Sequence, residues 1–277
     1  MKYVKCYPDF KFKAVTFSFD DGTYHDIEMI EIMNKFNLKG TFNLNSKLIY
    51  PNSKFVMANW INCYRLDRHQ INEIYKGHEI ASHTSTHTDF SVYDDNALTY
   101  QINEDIVALS EITKEDIVGF AYPFGIYNDQ IIERLKKCGV IYARATKCDY
   151  TFNIPTDLYT FGGSCTISCP QFPKMINKWL NYSPKSMKLF YIWGHSYELD
   201  MYHEHEKIYN LYEKLANKED TWYATNKDVF SYILAFNKLK FYSKTNEFVN
   251  KSEKDLYVIF NNNKYIIKAF SVLKIEN

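Results

Sequence analysis

Two adjacent carboxylates, Asp20 and Asp21, end the β-prone run AVTFSF (14–19), and two histidines four residues apart, His83 and His87, follow HEIAS (78–82). Asp21 offers a hard oxygen and the histidines offer two imidazoles, a set that can hold one divalent ion and leave positions open for water and substrate. An ion held in that way acidifies water and polarises a carbonyl, which is hydrolytic chemistry. If Asp20 also faces the cleft, it can take a proton from the attacking water. Taken alone, HxxxH is a common surface pattern and DDG a common turn; what favours a site is that both stand at strand ends. His195, in WGHSYE after the apolar run KLFYIW (188–193), is either a single structural histidine or the general acid that such a centre still lacks.

Strands and helices alternate along the segments that must position these residues. AVTFSF predicts a strand, residues 26–37 a helix with Asp26 as N-cap and Gly40 beyond its end, and TFNLN (41–45) a second strand. A short helix over 67–76 capped by Asp67 and a third strand over 78–82 follow, then a long amphipathic helix at 95–112, a strand at 117–121, a helix at 128–138 and a strand at 140–145. Such alternation predicts an α/β fold with a parallel sheet, closed into a distorted (β/α) barrel whose chemistry gathers at the carboxyl ends of the strands. Residues 146–169 lack periodicity and are expected to form a long loop over the barrel mouth. After TWYAT (221–225) and a helix at 226–236, residues 239–277 alternate apolar and polar around an Asn261-Asn262-Asn263 turn. The expected organisation is a catalytic domain over 1–236 and a small β-rich extension over 237–277.

Composition bounds the partners. With 33 basic and 33 acidic residues among 277 the formal charge is zero, so the stripe of positive charge that a nucleic acid backbone requires is not expected. No apolar run approaches the roughly 20 residues of a membrane span, and MKYVKCYPDFKFK lacks a signal-peptide core, so a cytoplasmic location is expected; a mature secreted chain stripped of its leader would read the same. Cys6, Cys63, Cys138, Cys148, Cys165 and Cys169 form no close pair and read as buried free thiols. The 24 Tyr and 20 Phe either serve a compositional bias or supply faces that stack on sugar rings.

Four motifs carry a resemblance to a known family. SFDDG (18–22), HTSTH (83–87), AYPFG (121–125) and WGH (193–195) occur in the order and approximate spacing of the polysaccharide deacetylases, carbohydrate esterase family four with the NodB-homology domain. The sequence resembles that family over residues 12–235. The resemblance implies hydrolysis of N-acetyl or O-acetyl groups on a glycan, with Asp20 as general base, Asp21, His83 and His87 as ligands of one divalent ion, and His195 as general acid. It also places the backbone N–H of Phe124 at the oxyanion, and Tyr122 and Trp193 are expected to contact substrate. Zinc is the first choice of ion, with cobalt, nickel, manganese and iron as others.

The pattern departs from the family at two points. Ala121 stands where the third motif usually begins with Arg; Arg144, from the neighbouring strand, either supplies that guanidinium or makes a surface salt bridge. The fourth motif has no clean match, which leaves Asp149 or Glu198 to tune His195. Two other readings stay open, a small-molecule amide or cyclic imide hydrolase on the same fold and a non-catalytic carbohydrate-binding relic. The sequence does not define the oligomeric state.

Overall fold

The computed structural model describes residues 3–90 and 94–276, apart from the side chain of Asn59. Its centre is a curled, wholly parallel sheet of eight strands: β1 (Lys13–Asp20), β2 (Gly40–Leu44), β3 (Glu79–Ser82), β4 (Gly119–Ala121), β5 (Tyr142–Arg144), β6 (Cys165–Thr166), β7 (Lys188–Gly194) and β8 (Thr221–Tyr223). They lie in the order β5-β4-β3-β2-β1-β7-β6, with β8 on the first residues of β1 beside the place where β2 begins. This is the expected α/β barrel in distorted form.

All eight residues of β1 are buried, as befits a parallel strand covered on both faces. Val15, Phe17 and Phe19 join the core cluster that also holds Met29, Met33, Leu109 and Ile176 from the surrounding helices. Side chains alternate along a strand, so Thr16, Ser18 and Asp20 point the other way, into the barrel. There they meet polar partners: Thr16 donates to Asn226 at 2.7 Å, and Asn43 of β2 donates to Ser18 and to Asp20 at 2.8 Å each. The same parity puts Glu79 in line with His83, Tyr142 with Arg144, and Tyr191 with Trp193 and His195. Glu79 accepts from Thr41 and Tyr142 inside the barrel, and burial pushes its carboxyl up to about 7.

Three local expectations change. Asp26 does not cap its helix, which runs from His25 to Lys35 without a side-chain cap. It is fully buried instead, accepting from Tyr75 at 2.5 Å and from Ser196, because those distant hydroxyls compete successfully for a carboxylate that local sequence assigns to a backbone amide. Residues 146–169 are not merely a cover over the mouth. Part of that run is wall: Ala143 and Ala145 donate to Leu158 and Phe161 at 2.7 Å each, Ser164 donates to Tyr191 at 2.8 Å, and Cys165–Thr166 pairs with β7. The segment spans the gap between β5 and β7 because those strands otherwise leave backbone groups unpaired. The long helix at 95–112 is broken by a π-helical turn at Thr99–Asn103 between Asp95–Leu98 and Glu104–Thr113. By contrast Asp67 does cap, in a reciprocal capping box with Gln70.

The C-terminal residues form two three-stranded sheets, and Val4–Cys6 from the other end of the chain pairs with Leu256–Phe260. Asn261 and Asn262, both at positive φ, make the two-residue turn between Leu256–Phe260 and Asn263–Ile267. Phe248, Val258, Phe260 and Ile267 share one buried cluster with Ala14, Leu189 and Phe230, so these sheets cover the end of the barrel opposite Asp20. No helix among the described residues is long and apolar enough to cross a membrane, and the six cysteines are free thiols.

Candidate active site

A cavity of about 510 Å³ opens at the carboxyl ends of the strands. Asp20, Asp21, His83, His87 and His195 all border it, together with Arg65, Phe55, Phe124, Trp193 and Tyr197.

Asp20 closes β1 with its side chain inward. Arg144, wholly buried, places Nη2 at 2.5 and 2.6 Å from the two carboxylate oxygens, and Asn43 adds a bond to Oδ1. Burial works against the charge, but Arg144 first, then His83 and His195, hold the Asp20 carboxyl well below the usual carboxylate range. Oδ2 is the oxygen turned to the cavity, 3.9 Å from His195 Nε2 and 4.0 Å from His83 Nε2. Arg144 therefore sits where a base-orienting guanidinium would, and not in a surface pair. Trp193 lies against it, with the guanidinium 4.3 Å from the ring centroid and the indole N–H donating to Cys148 Sγ at 3.1 Å. Trp193 is 7% exposed, so its face backs Arg144 more than it offers a platform to a sugar.

Asp21 has already left the strand, at φ +83°, and its Oδ2 lies 4.0 Å from the same His195 Nε2. Tyr197 donates to Oδ2 at 3.2 Å, whereas the buried Oδ1 has no hydrogen-bond partner. His83 fixes its tautomer by hydrogen bonding through Nδ1 to the Ala121 carbonyl at 2.8 Å, since a carbonyl can only accept; Nε2 is left as a bare acceptor facing the cavity. Burial pushes the His83 imidazole down to about 4, so it stands neutral, as a ligand must. His87 is carried by a tight loop, its Nε2 3.7 Å from Asp21 Oδ1. One oxygen of Asp21 and one ring nitrogen of each histidine lie within 4.8 Å of one another. An orphaned carboxylate oxygen beside two imidazole acceptors fits a divalent ion.

The loop that bears the histidines is held by residues that spacing did not reveal. Asn45 donates to the carbonyls of His83 and Thr84 at 2.6 and 3.0 Å, and Gln101 brackets Thr86, accepting from its N–H and donating to its hydroxyl. Gln101 lies in the π-helical turn, a local irregularity frequent at functional sites. On the far wall His195 makes a 2.8 Å bond through Nδ1 to Glu198, one helical turn on; Asp149 is occupied with Thr151 instead. Tyr197 stacks on His195 with ring centroids 4.9 Å apart. Burial opposes charge on His195, but the Glu198 bond and the two aspartates raise it to about 9.

Phe124 sits at φ +58° in the Pro123–Gly125 turn, 61% exposed as a residue, with its ring edge-on to His87. Tyr122 borders the same cavity but is only 1% exposed, its ring packed against Phe120 and Tyr127.

The fold is a distorted α/β barrel of the polysaccharide deacetylase type. The polysaccharide deacetylase family model matches residues 8–143. A provisionally assigned polysaccharide deacetylase from Mycobacterium smegmatis shares the fold with a TM-score of 0.61 at 15% identity, covering 85% of this chain and 95% of its own. The Xyl-CE4 domain of a multidomain xylanase from the hindgut metagenome of Trinervitermes trinervoides matches at 0.51 and 15% identity over 79% and 89% of the two chains. A CE4 family pseudoenzyme from Bacillus anthracis matches at 0.52 and 14% identity over 82% and 67%. These likenesses establish the fold. No curated protein matches the sequence significantly.

Proposed function

We propose that this protein is a metal-dependent hydrolase that removes acetyl groups, N-linked or O-linked, from a glycan or sugar. The observation that carries the reading is the pairing, in one cavity, of an Arg144-held Asp20 with the Asp21, His83 and His87 set and with His195 opposite. A pure binding module has no use for a base and an acid on the two sides of a cation site.

Asp21, His83 and His87 would hold the ion, which supplies Lewis-acid polarisation of the acetyl carbonyl and acidifies a water molecule. Asp20 Oδ2 receives that water's proton, while Arg144 and Asn43 keep the carboxylate ionised and aimed. The Phe124 N–H helps hold the oxyanion. His195, oriented by Glu198, protonates the departing amine or alcohol, and acetate leaves. Zinc is the first choice for an oxygen-and-two-imidazole set.

The reading is tested by acetate release from a panel of N-acetylated and O-acetylated sugars and oligosaccharides, with a cyclic imide as contrast, before and after chelation. Acetate released only with added cation supports it; turnover of the imide alone would move the activity to small amides, and no turnover on any substrate would leave a non-catalytic protein.

The acid half gives its own prediction. His195→Ala is expected to lower kcat by about 10²–10⁴-fold. The imidazolium is the competent form, so its contribution is complete at low pH and lost as pH rises through its pKa. A pH profile of kcat/KM should show this alkaline limb at or below about 9, because a bound cation only lowers the value. The limb should vanish in His195→Ala; an unchanged rate and profile would make His195 structural.

A further inference from the structure

Arg65 is a second guanidinium in the centre, and the sequence motifs do not include it. It borders the cavity with its side chain 6% exposed. Nη1 donates to the Asp21 backbone carbonyl and to Asn45 Oδ1, the latter at 2.7 Å. Nη2 lies 3.5 Å from Asp21 Oδ1, the oxygen that faces His87 and lacks a hydrogen bond. The Phe55 ring covers the guanidinium at 4.9 Å. A strap from the segment before β3 delivers it: Tyr24 donates to the Tyr64 carbonyl at 2.8 Å, and Leu66 donates to the Gly22 carbonyl at 2.9 Å.

We propose that Arg65 is a positioning residue that shares the Asp21 carboxylate with the cation and lowers the affinity of the site for it. The inference rests on the reading of Asp21, His83 and His87 as cation ligands. Asp20 and Asp21 bring two negative charges to the buried centre, and Arg65 and Arg144 bring two positive ones, so the carboxylate charge that would draw a divalent ion is already cancelled. Repulsion between a guanidinium and a divalent ion sharing one oxygen is several times stronger here than in water. The guanidinium also draws density from the ligand oxygen, which leaves the ion more electrophilic and more easily exchanged. A residue that only braced the loop would have the opposite effect on removal: Asp21, held at φ +83°, would relax and cation binding would weaken.

The sign of the change therefore decides. The metal-free 277-residue chain is titrated calorimetrically with Zn²⁺, with His87→Ala as the background for zinc taken up by the six thiols. Arg65→Gln, which can still donate to the Asp21 carbonyl, is expected to bind at least about tenfold tighter than wild type, and Arg65→Lys to stay within about threefold. Arg65→Met, a second neutral variant that keeps contact with Phe55, should tighten as well and serves if the Gln variant fails to fold. Weaker binding in the neutral variants, or equal affinity in all, overturns the proposal. Wild type that takes no zinc above the His87→Ala background overturns the cation reading itself, a result visible before any Arg65 variant is made.

Discussion

Asp20→Asn is expected to keep one cation per chain while turnover falls by about 10²–10⁴-fold. The amide is nearly isosteric and its single oxygen can still accept from Arg144 and Asn43, so the ligand set stays in place, while the fold loses some stability because the buried Arg144 is left without its anion. What it cannot do is take up a proton at the position of Oδ2. Cation content and steady-state acetate release on the same preparation check the prediction; loss of cation with activity retained would reverse the roles given to Asp20 and Asp21.

The second large effect concerns stability as well as rate. Arg144→Met should destabilise the fold by about 3–5 kcal/mol at neutral pH, because it leaves Asp20 as a buried carboxylate without its principal partner. In wild type the Asp20 pKa is held low, so its contribution to stability is present above the ordinary carboxylate range and is lost only as pH falls through the depressed folded value. Removing Arg144 raises that folded value. The deficit should be greatest at pH 7 and shrink under mild acid, where Asp20 can protonate. Denaturant melts of both proteins at neutral and mildly acidic pH measure this, and equal stability across that range would show that the pair is dispensable.

Much of the centre is legible in the sequence because strand periodicity is simple. Once AVTFSF is read as a strand ending at Asp20, alternation points Thr16, Ser18 and Asp20 to one side, and the same rule applied to 79–83, 142–144 and 191–195 aims His83, Arg144 and His195 at the same interior. Arg144 shows the limit of that reasoning: parity gives a direction, but only the curl of the sheet decides whether β5 comes close enough to replace the guanidinium missing at Ala121. Residues that act from loops carry no period at all. Arg65 and Tyr197 reach the site through chain reversals whose geometry depends on tertiary packing, and Gln101 reaches it from a π-helical turn that breaks the 3.6-residue period; no sequence motif points to any of the three. Asp26 failed for a related reason, since an acid before an apolar helical stretch reads as a cap whether or not a distant Tyr75 and Ser196 have claimed it. Residues 158–166 look irregular because they bridge two strand edges without joining either for long.

Cation stoichiometry is the most direct test of the centre. Elemental analysis of protein reconstituted with zinc and freed of excess should find one site-bound ion per chain in wild type and in Asp20→Asn. His83→Ala and His87→Ala should fall to the level set by the free thiols. Equal cation content in all four proteins, or none above that level in wild type, would contradict the assignment of Asp21, His83 and His87 as its ligands.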